Sequence, residues 1–382
     1  METMQPALKN GRNVWDRINM PVQEFQGRLL AVREKMKEQG MDVLLAYGHG
    51  FNDYGNSCYL SNYLMRLPRG TLVSVPREGD VALFFEGASR GLPSAKMLTW
   101  VEDVRPCPDT SEACAQYLKE KNLTPGTIGF AGLKQLMPHY QLKSLMDELS
   151  DCDIVDADGI IQTMRMVKSS READQIRRAS SIVKRAFDFA SETPFPTMNE
   201  MTIEAMLIRE ARLEGAEDVR VFFGKPQEAP WALRPSRERD IEPGSVLIVY
   251  MAVAYERYWS EGIRTFAVDG ISFSSPDLAD LEALYKVLTE CLRPEKAISQ
   301  CYEDIMAEIE KAGVESIGEY GLGRGIGLSP NEWPFLDENA KGNLEEGMCL
   351  TFRLSVKDKA RGAVMIGNTL YVSNTGVDIL TE

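Results

Sequence analysis

The sequence predicts an α/β protein, of the α+β kind in its larger part, that folds as two domains. Its 382 residues exceed the roughly 100–150 residues that a single domain most often has. Helical and strand patterns alternate through the first 157 residues, whereas long helices followed by β-branched and aromatic runs fill the rest. We therefore expect a small α/β domain at residues 1–157 and a second domain at residues 158–382, whose linker helix begins at about 158–172.

The composition is that of a globular protein with an acidic surface. Hydrophobic residues make up 44% and charged residues 26% of the chain, and the formal net charge is −14. This balance argues against nucleic acid or an anionic membrane as a partner, because both bind basic surfaces. No apolar run reaches the roughly 18–20 residues of a membrane span. Seven scattered cysteines without a CxxC pair, and no signal-peptide pattern, predict reduced thiols in a cytoplasmic protein.

The first domain is predicted from short apolar strands between helices. Apolar residues at helical spacing predict a helix over Val22–Gln39 that ends at Gly40. The further predicted elements are the strands Val43–Ala46, Leu72–Val75, Val81–Phe85, Thr127–Phe130 and Asp151–Asp156 and the helices Cys114–Glu120 and Tyr140–Leu149. The polar and aromatic stretch His49–Arg69 is predicted to be an exposed loop.

The second domain begins with helices and continues with strands. An apolar stripe predicts a long helix from Ser170. A further helix is predicted over Glu200–Glu214, and a strand over Asp218–Phe223. β-branched and aromatic residues then predict two strands, Val246–Ala252 and Tyr255–Trp259, joined by a tight connection.

The hairpin Gly244–Thr265 carries the first functional pattern. Tyr250 and Glu261 stand eleven residues apart, on what we expect to be facing positions of its two strands, and Arg264 and Thr265 follow. This frame resembles the first ligand motif of the creatinase/aminopeptidase P/methionine aminopeptidase family (peptidase family M24), which has the pita-bread fold. The family has an aspartate at both positions, so the resemblance implies that Tyr250 and Glu261 replace two metal ligands.

The resemblance continues in the linker and near the end of the chain. Arg165, Lys168 and Glu172 match the family's linker pattern R-x-x-K-x-x-x-E. The segment Glu345–Ser355, EEGMCLTFRLS, matches the family's G-M-x-x-T-x-E-P, with Arg353 in place of the ligand glutamate.

Two more segments match in spacing and differ in chemistry. Gly321–Pro334, GLGRGIGLSPNEWP, resembles the family's G-H-G-I-G-L-x-x-H-E-x-P. Arg324 replaces the metal-binding histidine and Asn331 the second histidine, while Glu332 remains. In the last segment, Ala363–Thr381, Gly367 replaces the final ligand glutamate.

The five ligand positions no longer suit a pair of metal ions. They carry Tyr250, Glu261, Arg324, Arg353 and Gly367, which together offer one carboxylate and two fixed cations. Divalent ions in such sites need several anionic oxygens and imidazole nitrogens. We therefore expect no metal ion and no other cofactor.

A histidine that serves the family as an acid/base or substrate ligand is also missing. The chain has two histidines, His49 and His139, both in the first domain. The loop where the family's histidine stands offers Trp231 and Arg234 instead, and we predict that both bind substrate, together with Asn331.

Two interpretations of the substituted site remain open. In the first, the protein drifted into a catalytically silent small-molecule-binding or partner protein, and its arginines only pair with Glu261 and Glu332. In the second, the arginines replace the positive charge of the metals and bind a small anionic molecule, because a guanidinium binds carboxylates at two points and stays charged. We favour the second. Resemblance to creatinase then implies a metal-independent hydrolase or lyase that cleaves a C–N bond of a small carboxylated, nitrogen-containing compound.

The candidate catalytic residues follow from that interpretation. Glu261 and Glu332 could act as general acid and base, and Tyr250 could donate a proton or stabilise an oxyanion. Arg324 and Arg353 would hold the anion. The alternative roles are structural: Tyr250 packs in the core, and Glu332 orients its loop through a salt bridge. Arg264 is expected to hold its strands together.

The first domain offers three further substrate-binding candidates. Creatinase-like dimers place this domain over the partner subunit's site, so the resemblance implies a homodimer. The stretch His49–Arg69 contains Asp53, Tyr54 and Arg66, which we predict to contact substrate there.

Overall fold

The structure is a computed structural model, and it describes residues 15–192, 198–226, 232–268, 276–358 and 362–382. The chain divides into two compact units, Met1–Arg165 and Met166–Glu382. The first is an α/β unit and the second combines helices with a large antiparallel sheet, which confirms the predicted fold class. The predicted boundary, 157–158, lies at the start of the helix Asp158–Met166, and the division between the units lies near its end. None of the described helices is long and apolar enough to cross a membrane.

The first unit is built on a mixed sheet of six strands in the part that the structure describes. The strands are β1 Val43–His49, β2 Gly70–Pro76, β3 Ala82–Glu86, β4 Asp103–Cys107, β5 Thr127–Ala131 and β6 Asp153–Asp156. Their order is β4-β3-β2-β1-β5-β6, with β2 antiparallel to both of its neighbours and the other pairs parallel. The helices are α1 Val22–Glu38, α2 Gly55–Ser61, α3 Leu92–Leu98, α4 Thr110–Glu120, α5 Leu133–Leu136 and α6 His139–Glu148. The central strand β1 is buried along nearly its whole length, which explains its unbroken apolar run.

The stretch His49–Arg69 contradicts the prediction of an exposed loop. It contains helix α2, all of whose residues are buried. The Asp53 carboxylate accepts a 2.7 Å hydrogen bond from the Gly55 amide at the start of the helix. The polar side chains of the helix are satisfied inside the unit, as when Arg165 donates a 2.8 Å hydrogen bond to Asn56. Composition could not distinguish these internal hydrogen bonds from exposure to water.

The second unit contains a sheet of eight strands within the described residues. These are β7 Asp218–Gly224, β8 Val246–Tyr255, β9 Tyr258–Ala267, β10 Gly323–Gly325, β11 Glu332–Phe335, β12 Cys349–Asp358, β13 Gly362–Val372 and β14 Val377–Ile379. The strand order is β11-β10-β12-β13-β9-β8-β7, and β14 pairs with β13. The first unit ends within α7 Asp158–Met166, and the helices of the second unit are α8 Ser170–Glu192, α9 Glu200–Leu213, α10 Pro276–Glu290 and α11 Ile298–Ala312.

The hairpin β8–β9 differs from its prediction in two respects. Its turn is Glu256–Arg257, both at positive φ (45° and 73°), as a two-residue hairpin turn requires. The second strand therefore starts at Tyr258 and not at Tyr255. The register pairs Tyr250 with Ile263, so Tyr250 and Glu261 are diagonal neighbours rather than directly opposite. Diagonal residues on one face remain within reach of long side chains.

Alternation along β8 divides its side chains between two faces. Leu247, Val249, Met251 and Val253 belong to the core that helix α8 covers. Ile248 and Tyr250 point to the opposite face, where they pack with Ile263 and Met365. This opposite face carries the predicted functional residues.

Candidate functional site

Glu261 is the centre of the site. Its carboxylate accepts a 2.9 Å hydrogen bond from the Tyr250 hydroxyl and another of 2.9 Å from Arg324 Nη2. Arg353 Nη2 lies 3.5 Å from the other carboxylate oxygen. The Glu261 side chain is only 3% exposed. The structure thus brings together four residues that come from four strands, β8, β9, β10 and β12.

Strand β13, which lies between β12 and β9, fixes the Glu261 backbone. Thr369 on β13 accepts a 2.9 Å hydrogen bond from the Glu261 amide and donates one of 2.9 Å to its carbonyl. Thr369 was not among the residues predicted from the sequence. The signal was present, because the threonine stands two residues after Gly367 in a segment that already matched the family pattern.

Burial and charge act in opposite directions on this carboxyl group. Burial raises the pKa of Glu261, while Arg324 and the hydrogen bond from Tyr250 lower it; burial prevails. The pKa of Tyr250 is raised well above its ordinary value by burial and by the neighbouring Glu261 charge. The phenol therefore stays protonated and acts as a hydrogen-bond donor, not as a base.

The two arginines differ in how well they are paired. Arg324 also donates a 2.8 Å hydrogen bond from Nε to the Pro330 carbonyl. Within the part of the chain that the structure describes, the Arg353 side chain makes its single ion pair and no hydrogen bond, and its Nε is buried. A guanidinium has five N–H donors. Arg353, 12% exposed, is therefore the cation with the greater unused capacity to bind an anion.

Glu332 has a different environment from Glu261. It forms a 3.0 Å ion pair with Lys168, and the two side chains are 4% and 1% exposed. Its other carboxylate oxygen accepts a 3.0 Å hydrogen bond from the Ser329 amide. These contacts hold the loop before β11, as the structural alternative for Glu332 predicted.

The remaining candidates of the second unit have separate positions. Arg234 makes two hydrogen bonds, of 2.5 and 2.8 Å, to the buried Glu200 carboxylate. Asn331 is exposed, and its backbone N–H donates a 3.2 Å hydrogen bond to Ser329 Oγ. Trp231 lies outside the described residues. Arg264 bonds the Gly367 carbonyl at 2.9 Å and the Thr381 carbonyl at 2.6 Å, which confirms that it holds strands together.

The three candidates of the first unit are part of its own framework. Asp53 starts helix α2, and the Tyr54 carbonyl accepts a 2.9 Å hydrogen bond from the Cys58 amide. Arg66 Nη2 donates a 2.8 Å hydrogen bond to Ser94 Oγ. Their predicted contact with substrate stays a prediction.

The donor set around Glu261 does not fit a metal ion. Among the described residues there is no group of three or more His, Cys, Asp or Glu side chains that could hold one. Tyr250 and Arg324 hydrogen-bond the Glu261 carboxylate, and Arg353 lies beside it. A dication bound at the Glu261 carboxylate would have that single carboxylate as its ligand and would face two guanidiniums and a protonated phenol.

Comparison with known proteins gives matches along most of the chain. The profile of metallopeptidase family M24 matches residues 174–374, and that of the creatinase/prolidase N-terminal domain matches residues 28–167. The Xaa-Pro dipeptidase of Pyrococcus horikoshii is 25% identical over 264 residues, which cover 66% of this chain and 72% of that protein. An uncharacterized peptidase of Staphylococcus saprophyticus is 23% identical over 340 residues, 85% of this chain and 92% of that protein.

A solved structure supports the architecture. The crystal structure of the prolidase from Pyrococcus horikoshii superposes with a TM-score of 0.77 at 21% identity, and covers 93% of this chain and 98% of that chain. At that identity the match shows the fold alone. Together with the profile matches, it confirms the predicted family and the pita-bread architecture of the second domain.

Proposed function

This chain belongs to metallopeptidase family M24, and from that premise we propose that it is a metal-independent enzyme for a small carboxylated, nitrogen-containing compound. The reaction is cleavage of a C–N bond by hydrolysis. The peptidase names of its relatives support hydrolytic chemistry at family level. The homodimer implied by the family resemblance is part of the same proposal.

One observation carries this proposal: two guanidiniums surround one carboxylate at the family's metal-ligand positions. Arg324 and Arg353 contribute two positive charges and Glu261 one negative charge, which leaves one positive charge in excess in this cluster. A single anionic group would balance that excess. Arginine binds a carboxylate through charge-assisted hydrogen bonds, the strong class of protein hydrogen bond.

The roles of the residues follow from their contacts. Arg353 binds the substrate carboxylate, because its hydrogen-bond donors are the least used. Glu261 accepts a proton from the attacking water, whose oxygen bonds to the substrate carbon. The electron pair of the C–N bond goes to nitrogen, which takes the proton back from Glu261, so no oxidant or reductant is needed. Tyr250 and Arg324 orient the Glu261 carboxylate throughout.

A second candidate function is a catalytically silent binding or partner protein. The observation in its favour is that Glu261 is already hydrogen-bonded to Tyr250 and Arg324 and ion-paired with Arg353. Such a cluster could serve only to hold the strands together.

The two candidates are separated by a ligand screen followed by product analysis. Protein treated with a chelator is screened by thermal shift against small carboxylates, and each stabilising compound is then incubated and examined by mass spectrometry. Hydrolysis adds one water to the summed mass of the products, whereas elimination conserves it. A ligand that binds at the arginines and is never cleaved would favour the silent protein, and the absence of any ligand would overturn the proposal.

A further inference from the structure

The ion pair between Arg353 and Glu261 crosses a strand. Arg353 lies on β12 and Glu261 on β9, and β13 runs between them. Neighbouring strands are about 4.8 Å apart, so the backbones of β12 and β9 lie about 10 Å apart, and the Arg353 and Glu261 side chains together have to span that distance across β13. The residue of β13 that pairs with Arg353 is Gly367, which also pairs with Ile263 of β9. Gly367 therefore lies under the path of the arginine.

A side chain at this position would meet that path. A Cβ added to Gly367 would lie 3.2 Å from Arg353 Cβ and 3.1 Å from Ile263 Cγ1. Both distances are shorter than the roughly 3.5–4.0 Å of a comfortable carbon–carbon contact. Gly367 has no positive φ, so its lack of a side chain, and not its conformational freedom, is what the sheet uses here.

Glycine is a costly residue in the middle of a strand. It loses more conformational entropy than other residues on folding and leaves nothing to pack. Its presence inside a buried sheet marks a close approach of another group. Here the approaching groups are Arg353 Cβ, the first atom of the arginine side chain, and the Ile263 side chain.

We propose that Gly367 is a positioning residue for the anion site: its missing side chain lets Arg353 cross β13 and present its guanidinium beside Glu261. The proposal rests on the proposed function in its binding step. The proposal also links two substitutions relative to the family pattern, Gly367 and Arg353. The metal-binding glutamate that the family has at position 367 would occupy the path that the Arg353 side chain takes.

The test compares two glycine substitutions with the arginine substitution. Gly367→Ala adds the obstructing Cβ, and the matched control Gly318→Ala adds one that meets nothing within 4 Å. The affinities for acetate, succinate and N-acetylglycine are measured by calorimetry at constant ionic strength. We expect Gly367→Ala to weaken binding about tenfold and Gly318→Ala to leave it unchanged. In the double variant Arg353→Met/Gly367→Ala, the glycine substitution should cause little further loss of carboxylate affinity, because both substitutions remove the same interaction, that of Arg353 with the anion. Binding by a folded Gly367→Ala variant at wild-type affinity would overturn the inference and leave the proposed function intact.

If no carboxylate binds, the proposed function is overturned, but the inference can still be tested through the pH dependence of stability. The charged and titratable groups that face Glu261 are Tyr250 from β8, Arg324 from β10 and Arg353 from β12. Arg353 Nη2 lies 3.5 Å from the Glu261 carboxylate, so we expect its withdrawal to raise the Glu261 pKa further. The pH range over which stability declines should then extend upward in both Gly367→Ala and Arg353→Met. Extension in Arg353→Met alone would overturn the inference. If Gly367→Ala does not fold, Ile263→Ala/Gly367→Ala removes the contacts with Ile263 Cγ1 and Cδ1 and keeps the contact with Arg353 Cβ.

Discussion

Arg353 Nη2 stands 3.5 Å from Glu261 Oε1, beyond ordinary hydrogen-bond distance, whereas Arg324 Nη2 makes a 2.9 Å hydrogen bond to the same carboxylate. The two arginines stand where the family pattern has two metal ligands, yet Arg324 is hydrogen-bonded to Glu261 and Arg353 is only ion-paired with it. From this difference we predict that folding depends on Arg324 and that Arg353 is held for a ligand.

Replacing Arg353 with methionine should separate binding from stability. The loss of a charge-assisted hydrogen-bond partner is worth about 1.5–3 kcal/mol, so carboxylate affinity should fall about 10–100-fold. The free energy of unfolding should change by no more than about 1 kcal/mol, because Glu261 keeps its hydrogen bonds to Tyr250 and Arg324. Denaturant melts beside a calorimetric titration measure both quantities.

Arg234→Met is the matched control for that experiment. It removes both hydrogen bonds from the buried Glu200 carboxylate and should cost roughly 3–5 kcal/mol of stability without changing carboxylate affinity. If Arg353→Met destabilises the protein as much as this control, and the wild type binds no carboxylate, the silent interpretation gains support.

Glu261→Gln should strengthen anion binding while it ends hydrolysis. The substitution keeps the shape of the side chain and changes the charge of the cluster from one positive charge to two. Attraction between unit charges about 4 Å apart is worth several kcal/mol near a protein surface, so affinity for a carboxylate should rise about tenfold or more. Calorimetry measures affinity, and mass spectrometry measures turnover. A folded variant with weaker binding would show that Glu261 itself contacts the ligand.

The raised pKa of Glu261 gives stability a definite dependence on pH. Between the ordinary pKa of glutamate, about 4.3, and the raised value in the folded state, the folded protein holds a proton that the unfolded chain has released. The free energy of unfolding therefore falls as pH rises through this range. Denaturant melts across the pH range should show this slope in the wild type and lose it in Glu261→Gln, which does not titrate. Equal slopes in both proteins would assign the dependence to other groups.

The sequence predicted most of the site's members and few of their roles. Tyr250, Glu261, Arg324 and Arg353 were all identified from the spacing of family-like segments, because such spacing survives when the chemistry changes. Their pairing was not predictable. The diagonal register of Tyr250 and Glu261 depends on a two-residue turn at positive φ without the usual glycine or asparagine.

Long-range polar contacts were also beyond the sequence. The guanidinium of Arg234, which was predicted to bind substrate, pairs with Glu200, thirty-four residues away in the chain, and the sequence did not indicate this partner. Helix α2 was predicted to be an exposed loop because it contains many polar residues. These residues are buried instead, since the folded unit supplies hydrogen-bond partners such as Arg165 for Asn56. A residue type gives the number of donors and acceptors, and the fold alone decides which of them remain available.

The purified protein should carry well under one equivalent of Mn, Zn, Fe or Co, and a chelator should change neither its stability nor its carboxylate binding. A dication about 4 Å from one guanidinium would be repelled by about 8 kcal/mol at an effective dielectric constant of 20, and the site has two guanidiniums. One carboxylate cannot offset this, since its Oε2 already accepts hydrogen bonds from Tyr250 and Arg324 and its Oε1 lies 3.5 Å from Arg353. Elemental analysis of protein purified without chelator gives the stoichiometry, with the Pyrococcus horikoshii prolidase purified in parallel as a comparison. Stoichiometric metal in this chain, removed by the chelator together with activity, would contradict both the donor-set argument and the proposed metal-independent chemistry.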